Sequence, residues 1–214
     1  MRIESIERAR KGGKFRVCFD EGTELLLSKE VIIDFGLRRN DEISVDACSN
    51  LQDAQAYRDA YFAAARLLNY RMRTRSELIQ RLQKKSYEQG IIDKVIAKMS
   101  DVGLIDDSRF AEAFVASKVA SKPVGKRELE RGLREKGVGK ETAQHALAQV
   151  GDEEMQLRLA MQAADVKMRS LRRYDVLKRR DKLIAFLARR GFDWDIIKKV
   201  TRKLFKGDAD AVDL

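Results

Sequence analysis

The apolar positions of the chain recur three times without a gap, since residues 75–99 superpose on residues 126–150 and 180–204. The clearest markers are two leucines four residues apart in each copy: Leu78 and Leu82, Leu129 and Leu133, and Leu183 and Leu187. Spacings of three and four residues favour amphipathic helices, and a repeated helical unit buries its apolar face against its neighbours. The pattern predicts a mainly α fold, an elongated tandem array of three three-helix, helix-turn-helix-like repeats.

The first fifty residues carry a different pattern, in which apolar and polar side chains form short segments. Three segments favour strands: Phe15–Phe19, Glu24–Leu27 and residues 43–45. Turn signals stand at 12–13 and 20–23, where glycines and acidic residues interrupt the apolar runs. Ser28 is predicted to cap a short helix that ends near Gly36. We therefore expect a small β-rich N-terminal module.

From about Gln52 onward the pattern is helical. Thr74 and Glu77 have the spacing of a capping box, and Asp106 is predicted to cap a later helix. Glycines are predicted to end the paired-leucine helices of the second and third copies: Gly137 and Gly191. The predicted organisation is a module at 1–50, repeats at 52–103, 104–151 and 152–206, and a tail at 207–214.

The charge of the chain is concentrated in the repeats. The protein has 214 residues with 44 Lys and Arg against 34 Asp and Glu, a net charge of +10. Residues 1–52 carry a net charge of −1, whereas residues 53–150 carry +6 and residues 151–214 carry +5. A basic surface of this kind attracts polyanions such as nucleic acid.

The compartment follows from what the sequence lacks. It contains no apolar run of the ~20 residues that a membrane helix needs, and its charged start does not resemble an export signal. Cys18 and Cys48 have no CxxC context, so reduced thiols are favoured over a disulfide. We expect a cytoplasmic protein with no membrane association.

The residues offer little for catalysis. His145 is the single histidine, which excludes a metal site built on several imidazoles, and we expect it to be exposed. The acidic residues at 106–107 and 152–154 precede predicted helices, where capping explains them. Trp194 is interpreted as packed rather than available for stacking on a base. We therefore expect no enzyme activity, no cofactor and no metal.

Basic residues recur at equivalent positions of the three copies. The columns are Arg75, Lys126 and Arg180; Lys85, Lys136 and Arg190; and Lys94 and Lys199, with Arg127 added beside the first. The first column lies near helix starts, where a cation opposes the helix dipole at a cost of about 0.3–1 kcal/mol and would attract a phosphate or carboxylate. We hypothesise that these residues face an anionic ligand, with a merely solvated face as the alternative. A cap at Asp175 would leave Arg180 inside its helix.

The same residues resemble those of the bacterial RecX family. The resemblance rests on residues 75–78, on Leu82, on residues 103–115, and on residues 128–129 and 136–138 of the second copy. It covers nearly the whole chain. Ser86 stands where a glycine is usual in the family, and residues 165–181 match weakly.

The resemblance implies a non-enzymatic regulator that binds the groove of the RecA nucleoprotein filament. Such a protein lowers the ATPase, strand-exchange and co-protease activities of RecA, and so affects recombinational repair and the SOS response. The implied partners are RecA, single-stranded DNA and, less directly, duplex DNA, and we expect a monomer.

The alternative is a DNA-binding protein that uses the repeats as helix-turn-helix readers. The outward residues of the third helices differ between copies: Asp93, Lys94 and Lys98; Gln144, His145 and Gln149; and Lys198, Lys199 and Arg202. Unlike sets favour backbone or protein contact over the reading of base edges.

Overall fold

The computed structural model describes residues 1–10, 12–148 and 150–205, which form three strands and ten helices. They belong to two compact units, one of Met1–Met72 with Leu78–Ile105 and one of Arg73–Glu77 with the chain from Asp106 onward. The described helices include none that is long and apolar enough to span a membrane. The predicted tail at 207–214, Lys206 at the end of the predicted third repeat, and Gln149 lie outside the described residues.

The first unit begins with the predicted β-rich module. Strands β1 (Ile3–Arg8), β2 (Phe15–Phe19) and β3 (Glu24–Leu27) form an antiparallel sheet in the order β1-β2-β3. Helix α1 (Lys29–Asp34) follows, with the Ser28 hydroxyl accepting a hydrogen bond from the Val31 amide at 3.5 Å. These elements confirm the module, the cap at Ser28 and the strands at 15–19 and 24–27.

The strand predicted at 43–45 is wrong, because a helix starts there. Ser44 is the N-cap of α2 (Val45–Tyr70), and its hydroxyl accepts a hydrogen bond from the Ala47 amide at 3.1 Å. The serine hydroxyl accepts a hydrogen bond from a backbone amide in the first turn of the helix and so stabilises the helix start. This effect outweighs the β propensity of the two neighbouring residues, Ile43 and Val45. The segment before α2 pairs with the start of the chain through an isolated bridge between Arg2 and Glu42, and Ile3 exchanges backbone hydrogen bonds with Asp41 and Asn40.

Helix α2 joins the module to the first repeat. Its first turns place Cys48 and Leu51 in the core beneath the sheet, with Ile3, Val17, Phe19 and Leu27. Its later turns place Ala60, Ala63 and Ala64 against α3 (Arg75–Gln83) and α4 (Gln89–Asp101). The helix therefore runs unbroken through positions 50 to 52, where the sequence pattern predicts a boundary.

The second unit contains the other two repeats. The second repeat is α5 (Asp107–Ser121), α6 (Lys126–Glu135) and α7 (Lys140–Leu147), and the third is α8 (Glu153–Leu171), α9 (Val176–Arg189) and α10 (Trp194–Leu204). All six marker leucines are buried, each at 1% exposure or less. The apolar pattern thus predicted both the number of repeats and the residues of their cores, and the three tandem repeats are confirmed.

The second and third repeats meet at the turn after α9. Gly191 has a φ of +79°, and a Cβ there would collide with the backbone nitrogen of Glu128 and lie 2.7 Å from its Cβ. The Gly125 amide donates to the Arg190 carbonyl at 2.8 Å, and the Arg127 amide donates to the Gly191 carbonyl at 3.1 Å. This junction therefore needs a residue without a side chain at 191.

The turn after α6 is used in the same way. Gly137 has a φ of +73° and lies against Ser76, and the Thr74 hydroxyl donates to the Lys136 carbonyl at 2.6 Å. The equivalent residue of the first repeat is Ser86, which takes the same left-handed conformation at a φ of +61° and is exposed. A side chain is tolerated there because no helix start packs against it in the described structure.

Candidate functional site

The first predicted column is not one equivalent set in the structure. Arg75 and Lys126 are the first residues of α3 and α6, whereas Arg180 lies inside α9, which begins after a cap at Asp175. The difference arises because the Asp175 carboxylate accepts from the Lys178 amide at 2.9 Å and starts that helix early. The prediction that Arg180 lies near a helix start is therefore wrong, and the alternative, a cap at Asp175 that leaves Arg180 inside the helix, is confirmed.

The helix starts at Arg75 and Lys126 are already engaged by the protein itself. The Arg75 amide donates to an Asp107 carboxylate oxygen at 2.9 Å, and the Lys126 amide donates to the Gln156 side-chain oxygen at 3.0 Å. Each acceptor belongs to the first helix of the following repeat. These amides bind protein oxygens, so an external phosphate would have to displace them.

Three further residues of the predicted set pair with carboxylates inside the second unit. Lys136 forms an ion pair with Glu77 at 2.8 Å, and Arg127 forms one with Asp193 at 2.5 Å, and each of these pairs joins two repeats. Lys199 forms an ion pair with Glu153, between two helices of the third repeat. We call Arg127 and Lys136 the junction cations.

The two remaining lysines belong to the first unit. Lys85 is exposed in the turn after α3, and Lys94 is exposed on α4, where it lines a hollow with Phe35 and Tyr57. The other seven predicted residues belong to the second unit.

A different set of cations comes together at the ends of α5, α8 and α9. We call this set the basic strip: Lys118, Lys122, Lys167, Arg173, Lys182, Arg189 and Arg190. It lines two hollows of about 450 and 410 Å³, and Arg189 lines both of them. Of the predicted residues, only Arg190 belongs to it.

Aromatic rings hold the cations of the strip in place. The Lys182 ammonium lies 4.6 Å and the Arg173 guanidinium 5.1 Å from the centre of the Tyr174 ring. Phe186 likewise has Lys167 at 5.5 Å and Arg190 at 5.0 Å. Cation–π contacts orient these side chains without neutralising them, so the charge stays available to a ligand.

The strip carries almost no negative charge. Among the described residues, Glu128 is the one carboxylate that lines the two hollows of the strip; it is 28% exposed and forms an ion pair with Arg131 at 2.5 Å. In the part of the chain that the structure describes, no cation of the strip forms an ion pair with a carboxylate. The strip is therefore a region of uncompensated positive charge.

The cations of the strip lower the pKa of the Tyr174 phenol. A hydrogen bond from the Arg173 side chain, 3.1 Å long, lowers the pKa of the Tyr174 phenol, and the charges of Arg173, Lys182 and Lys167 lower it further. Cations that favour a phenolate also favour phosphate oxygens, which are acceptors of the same charge.

The described residues contain no candidate metal site: over residues 1–10, 12–148 and 150–205 there is no group of three or more His, Cys, Asp or Glu side chains that could hold a metal ion. His145 is exposed, as expected, and Cys18 and Cys48 are free thiols. What the strip can do is bind a polyanion.

The sequence pattern missed the strip because, apart from Arg190, its members do not belong to the basic columns that recur in the repeats. Lys118 and Arg189 come from different repeats, and they line one hollow next to the contact between Gly125 and Arg190. A signal existed in the charged stretch at 165–181, which contains Lys167 and Arg173.

The interpretation of Trp194 is also wrong. Its side chain is 52% exposed, because Ile196 and Ile197 fill the buried positions at the start of α10. Asp193 precedes that helix as its N-cap residue, yet its carboxylate pairs with Arg127 instead of capping.

The fold defines a protein of tandem three-helix repeats that follow a small antiparallel sheet. Three family models match it in order: the first three-helix domain of RecX at residues 60–99, the second at 106–147 and the third at 153–201. The chain belongs to the RecX family, which confirms the resemblance seen in the sequence.

Relatives of this chain carry the name "Regulatory protein RecX". One from Finegoldia magna is 27% identical over 202 residues, which cover 94% of this chain and 98% of the relative. One from Chlorobium phaeobacteroides is 36% identical over 147 residues, which cover 69% of this chain and 94% of the relative. The family is thus one of regulatory proteins.

Solved structures show the same fold. A crystal structure of regulatory protein RecX has a TM-score of 0.75 at 24% identity, covering 93% of this chain and 98% of that one. The crystal structure of RecX from Lactobacillus salivarius has a TM-score of 0.65 at 25% identity and covers 71% of this chain and 97% of that one.

Proposed function

We propose that this protein regulates the RecA recombinase by binding its nucleoprotein filament, and that the basic strip contacts the filament. The observation that supports this is the strip itself, seven cations on two hollows with a single carboxylate. A filament of protein on DNA presents a dense row of phosphates, which such a surface attracts strongly.

The regulation proceeds by occupancy, without catalysis. A chain bound along the filament obstructs the addition of subunits and their movements during ATP hydrolysis. The expected consequences are lower ATPase, strand-exchange and co-protease activities of RecA, and so an effect on recombinational repair and the SOS response. We propose that the protein acts in the cytoplasm, as a monomer, and without a cofactor.

Sequence-specific reading of duplex DNA is the weaker proposal. The described outward residues of the third helices include Asp93 and Lys94 on α4, His145 on α7 and Lys198 on α10, which share no common pattern. A contact with phosphates needs no such pattern, since phosphates carry no sequence information.

The test is a titration of the single-stranded-DNA-dependent ATPase of the cognate RecA with this protein. We expect inhibition at fewer than one chain per RecA subunit, because a blocked filament end stops many subunits. Inhibition only at saturation would indicate coating of the filament instead of blocked growth. An ATPase rate that is unchanged at saturation would refute the proposal.

Two triple variants with the same loss of charge locate the contact. The strip variant carries Lys167→Ala, Lys182→Ala and Arg189→Ala, and the dispersed variant carries Lys84→Ala, Arg134→Ala and Lys140→Ala at exposed positions outside the strip. We expect the strip variant to need at least about tenfold more protein for the same inhibition. The dispersed variant should inhibit like the unmodified chain.

A further inference from the structure

A groove on the opposite side of α9 from the basic strip has a different character. It has a volume of about 380 Å³, and Ile184, Ile197 and Phe205 give it an apolar floor. Arg180 and Ile184 of α9 line the groove, whereas Lys182 and Arg189 of the same helix line the strip. The two surfaces are therefore separate, and the contact proposed above for the basic strip does not use the groove.

Trp194 forms one wall of this groove and is its most unusual feature. It is the single tryptophan of the chain, and its side chain is 52% exposed. A large aromatic side chain left in water at the edge of an apolar hollow offers a flat surface on which a planar ligand can stack.

Cations surround the tryptophan. Arg180, Lys198 and Arg202 line the groove, and the Lys198 ammonium lies 5.8 Å from the centre of the Trp194 ring. No carboxylate is among the described residues that line it. The groove thus combines an aromatic platform, an apolar floor and a positive rim.

We propose that this groove binds an unpaired base of a single-stranded nucleic acid, stacked on Trp194, while Arg180, Lys198 and Arg202 bind the adjoining phosphates. A nucleotide unit has both parts that the groove fits, a planar apolar ring and a negative charge beside it. Bases of a duplex are stacked inside the helix and cannot reach the tryptophan. The groove therefore selects single strands over duplexes.

An acidic peptide fits this groove less well. Its carboxylates would match the three cations, but an extended peptide presents no planar ring for the exposed face of Trp194. The inference extends the proposed function and needs no recombinase for its test, so either proposal can fail without the other.

The experiment measures the fluorescence of Trp194, which reports on this groove alone because the chain has no other tryptophan. The full chain is titrated with a short oligodeoxythymidylate, with an abasic oligomer of the same length and backbone, and with a duplex of that length. We expect the oligodeoxythymidylate to quench the fluorescence, and the abasic oligomer and the duplex to leave it nearly unchanged.

Variants separate stacking from charge. Trp194→Ala should weaken the binding of oligodeoxythymidylate about tenfold, measured by anisotropy of a labelled oligomer, and leave that of the abasic oligomer unchanged. Trp194→Phe keeps a ring and should retain most of the affinity. Lys198→Ala with Arg202→Ala should weaken the binding of both oligomers, because it removes phosphate contacts.

Several results would overturn the inference. Equal quenching by the abasic oligomer, or by an acidic peptide titrated in the same way, would show that no base is recognised. If the fluorescence is quenched when the protein concentration is raised in the absence of any oligomer, the groove binds a second copy of the chain instead. Unchanged affinity of Trp194→Ala, in a variant with the circular dichroism of the unmodified chain, would remove the stacking contact.

Discussion

The junctions between repeats and the basic strip both contain lysine and arginine side chains, but the positive charges are paired at the junctions and unpaired in the strip. At the junctions, Lys136 and Arg127 each meet a carboxylate of the neighbouring segment, and their charge is neutralised inside the second unit. In the strip, Lys182 and Arg173 lie on an aromatic ring, which orients them and leaves their charge intact. Charge that is paired stabilises the fold, and charge that is stacked remains for a partner.

This difference explains why repeat equivalence is a poor guide to binding residues. At the position shared by Lys136 and Arg190, each backbone carbonyl accepts a hydrogen bond from the start of a neighbouring repeat's helix, from the Thr74 hydroxyl and the Gly125 amide respectively, so the equivalence reflects a junction and not a ligand. A partner that lies across two repeats contacts whatever side chains packing brings to the surface, and those need no equivalents.

The largest expected effect comes from breaking a junction at Gly191. Gly191→Ala places a methyl group against the Glu128 backbone in a left-handed conformation, so we expect the free energy of unfolding to fall by about 3 kcal/mol. Urea denaturation measures this. The matched control is Gly139→Ala, where φ is −62° and nothing lies within 4 Å. Equal losses in the two variants would contradict the close packing described at Gly191.

A smaller loss is expected from a junction cation. Lys136→Ala leaves the Glu77 carboxylate, 15% exposed, without its lysine, and we expect a cost of about 1 kcal/mol in urea denaturation. The affinity for a polyanion should stay within about twofold of that of the unmodified chain, because the charge removed was already neutralised. A large loss of affinity with unchanged stability would reverse the assignment of Lys136 to the junction.

The turn after α3 in the first repeat allows the opposite test, a substitution that is expected to stabilise the protein. Ser86 holds the left-handed conformation that Gly137 and Gly191 hold at the junctions, so Ser86→Gly should stabilise the protein by up to about 1 kcal/mol. Ser117→Gly, in the exposed interior of α5, should destabilise it by a similar amount. Thermal denaturation of both variants checks the opposite signs; a destabilised Ser86→Gly would show that the serine is needed there.

The smallest effect concerns the pH dependence of the strip. The Arg173 hydrogen bond and the cations near Tyr174 lower its phenol pKa, whereas burial raises the pKa of Tyr57 and of Tyr87. Tyr174 should therefore ionise before these two in an alkaline absorbance titration, and Tyr174→Phe should remove that phase.

The lowered pKa of Tyr174 also determines how polyanion affinity and folding stability change with pH. Because the phenolate adds negative charge to the strip, polyanion affinity should fall as the pH rises through the Tyr174 pKa, and a bound polyanion should raise that pKa. A phenol pKa lowered by folding stabilises the fold only at alkaline pH, and that stabilisation is lost as the pH falls through the folded value. An affinity that rises with alkaline pH would contradict the placement of Tyr174 among the strip's cations.

Much of the fold could be predicted from the sequence, because it depends on local signals. The paired leucines gave the repeats, and Ser28 and Asp106 cap the helices that they were expected to cap. The error at 43–45 also concerns local signals: Ser44 is a helix cap, but its neighbours Ile43 and Val45 have the alternating pattern of a strand.

The candidate site could not be predicted in the same way. Asp107 was expected to cap its own helix, yet its carboxylate accepts from the Arg75 amide, 32 residues earlier in the chain. Lys118 and Arg189 line one hollow from helices in different repeats. Such neighbours are set by tertiary packing, which neither periodicity nor repeat equivalence encodes.

The most direct test of the account is the salt dependence of binding to a RecA filament on single-stranded DNA. The logarithm of the association constant is measured against the logarithm of the salt concentration for the unmodified chain, the strip variant and the dispersed variant, which lose the same charge. We predict that the strip variant lowers the magnitude of the slope by about 2 and that the dispersed variant leaves it unchanged. Equal slopes for the two variants would show that net charge alone governs binding, and would contradict a contact made by the basic strip.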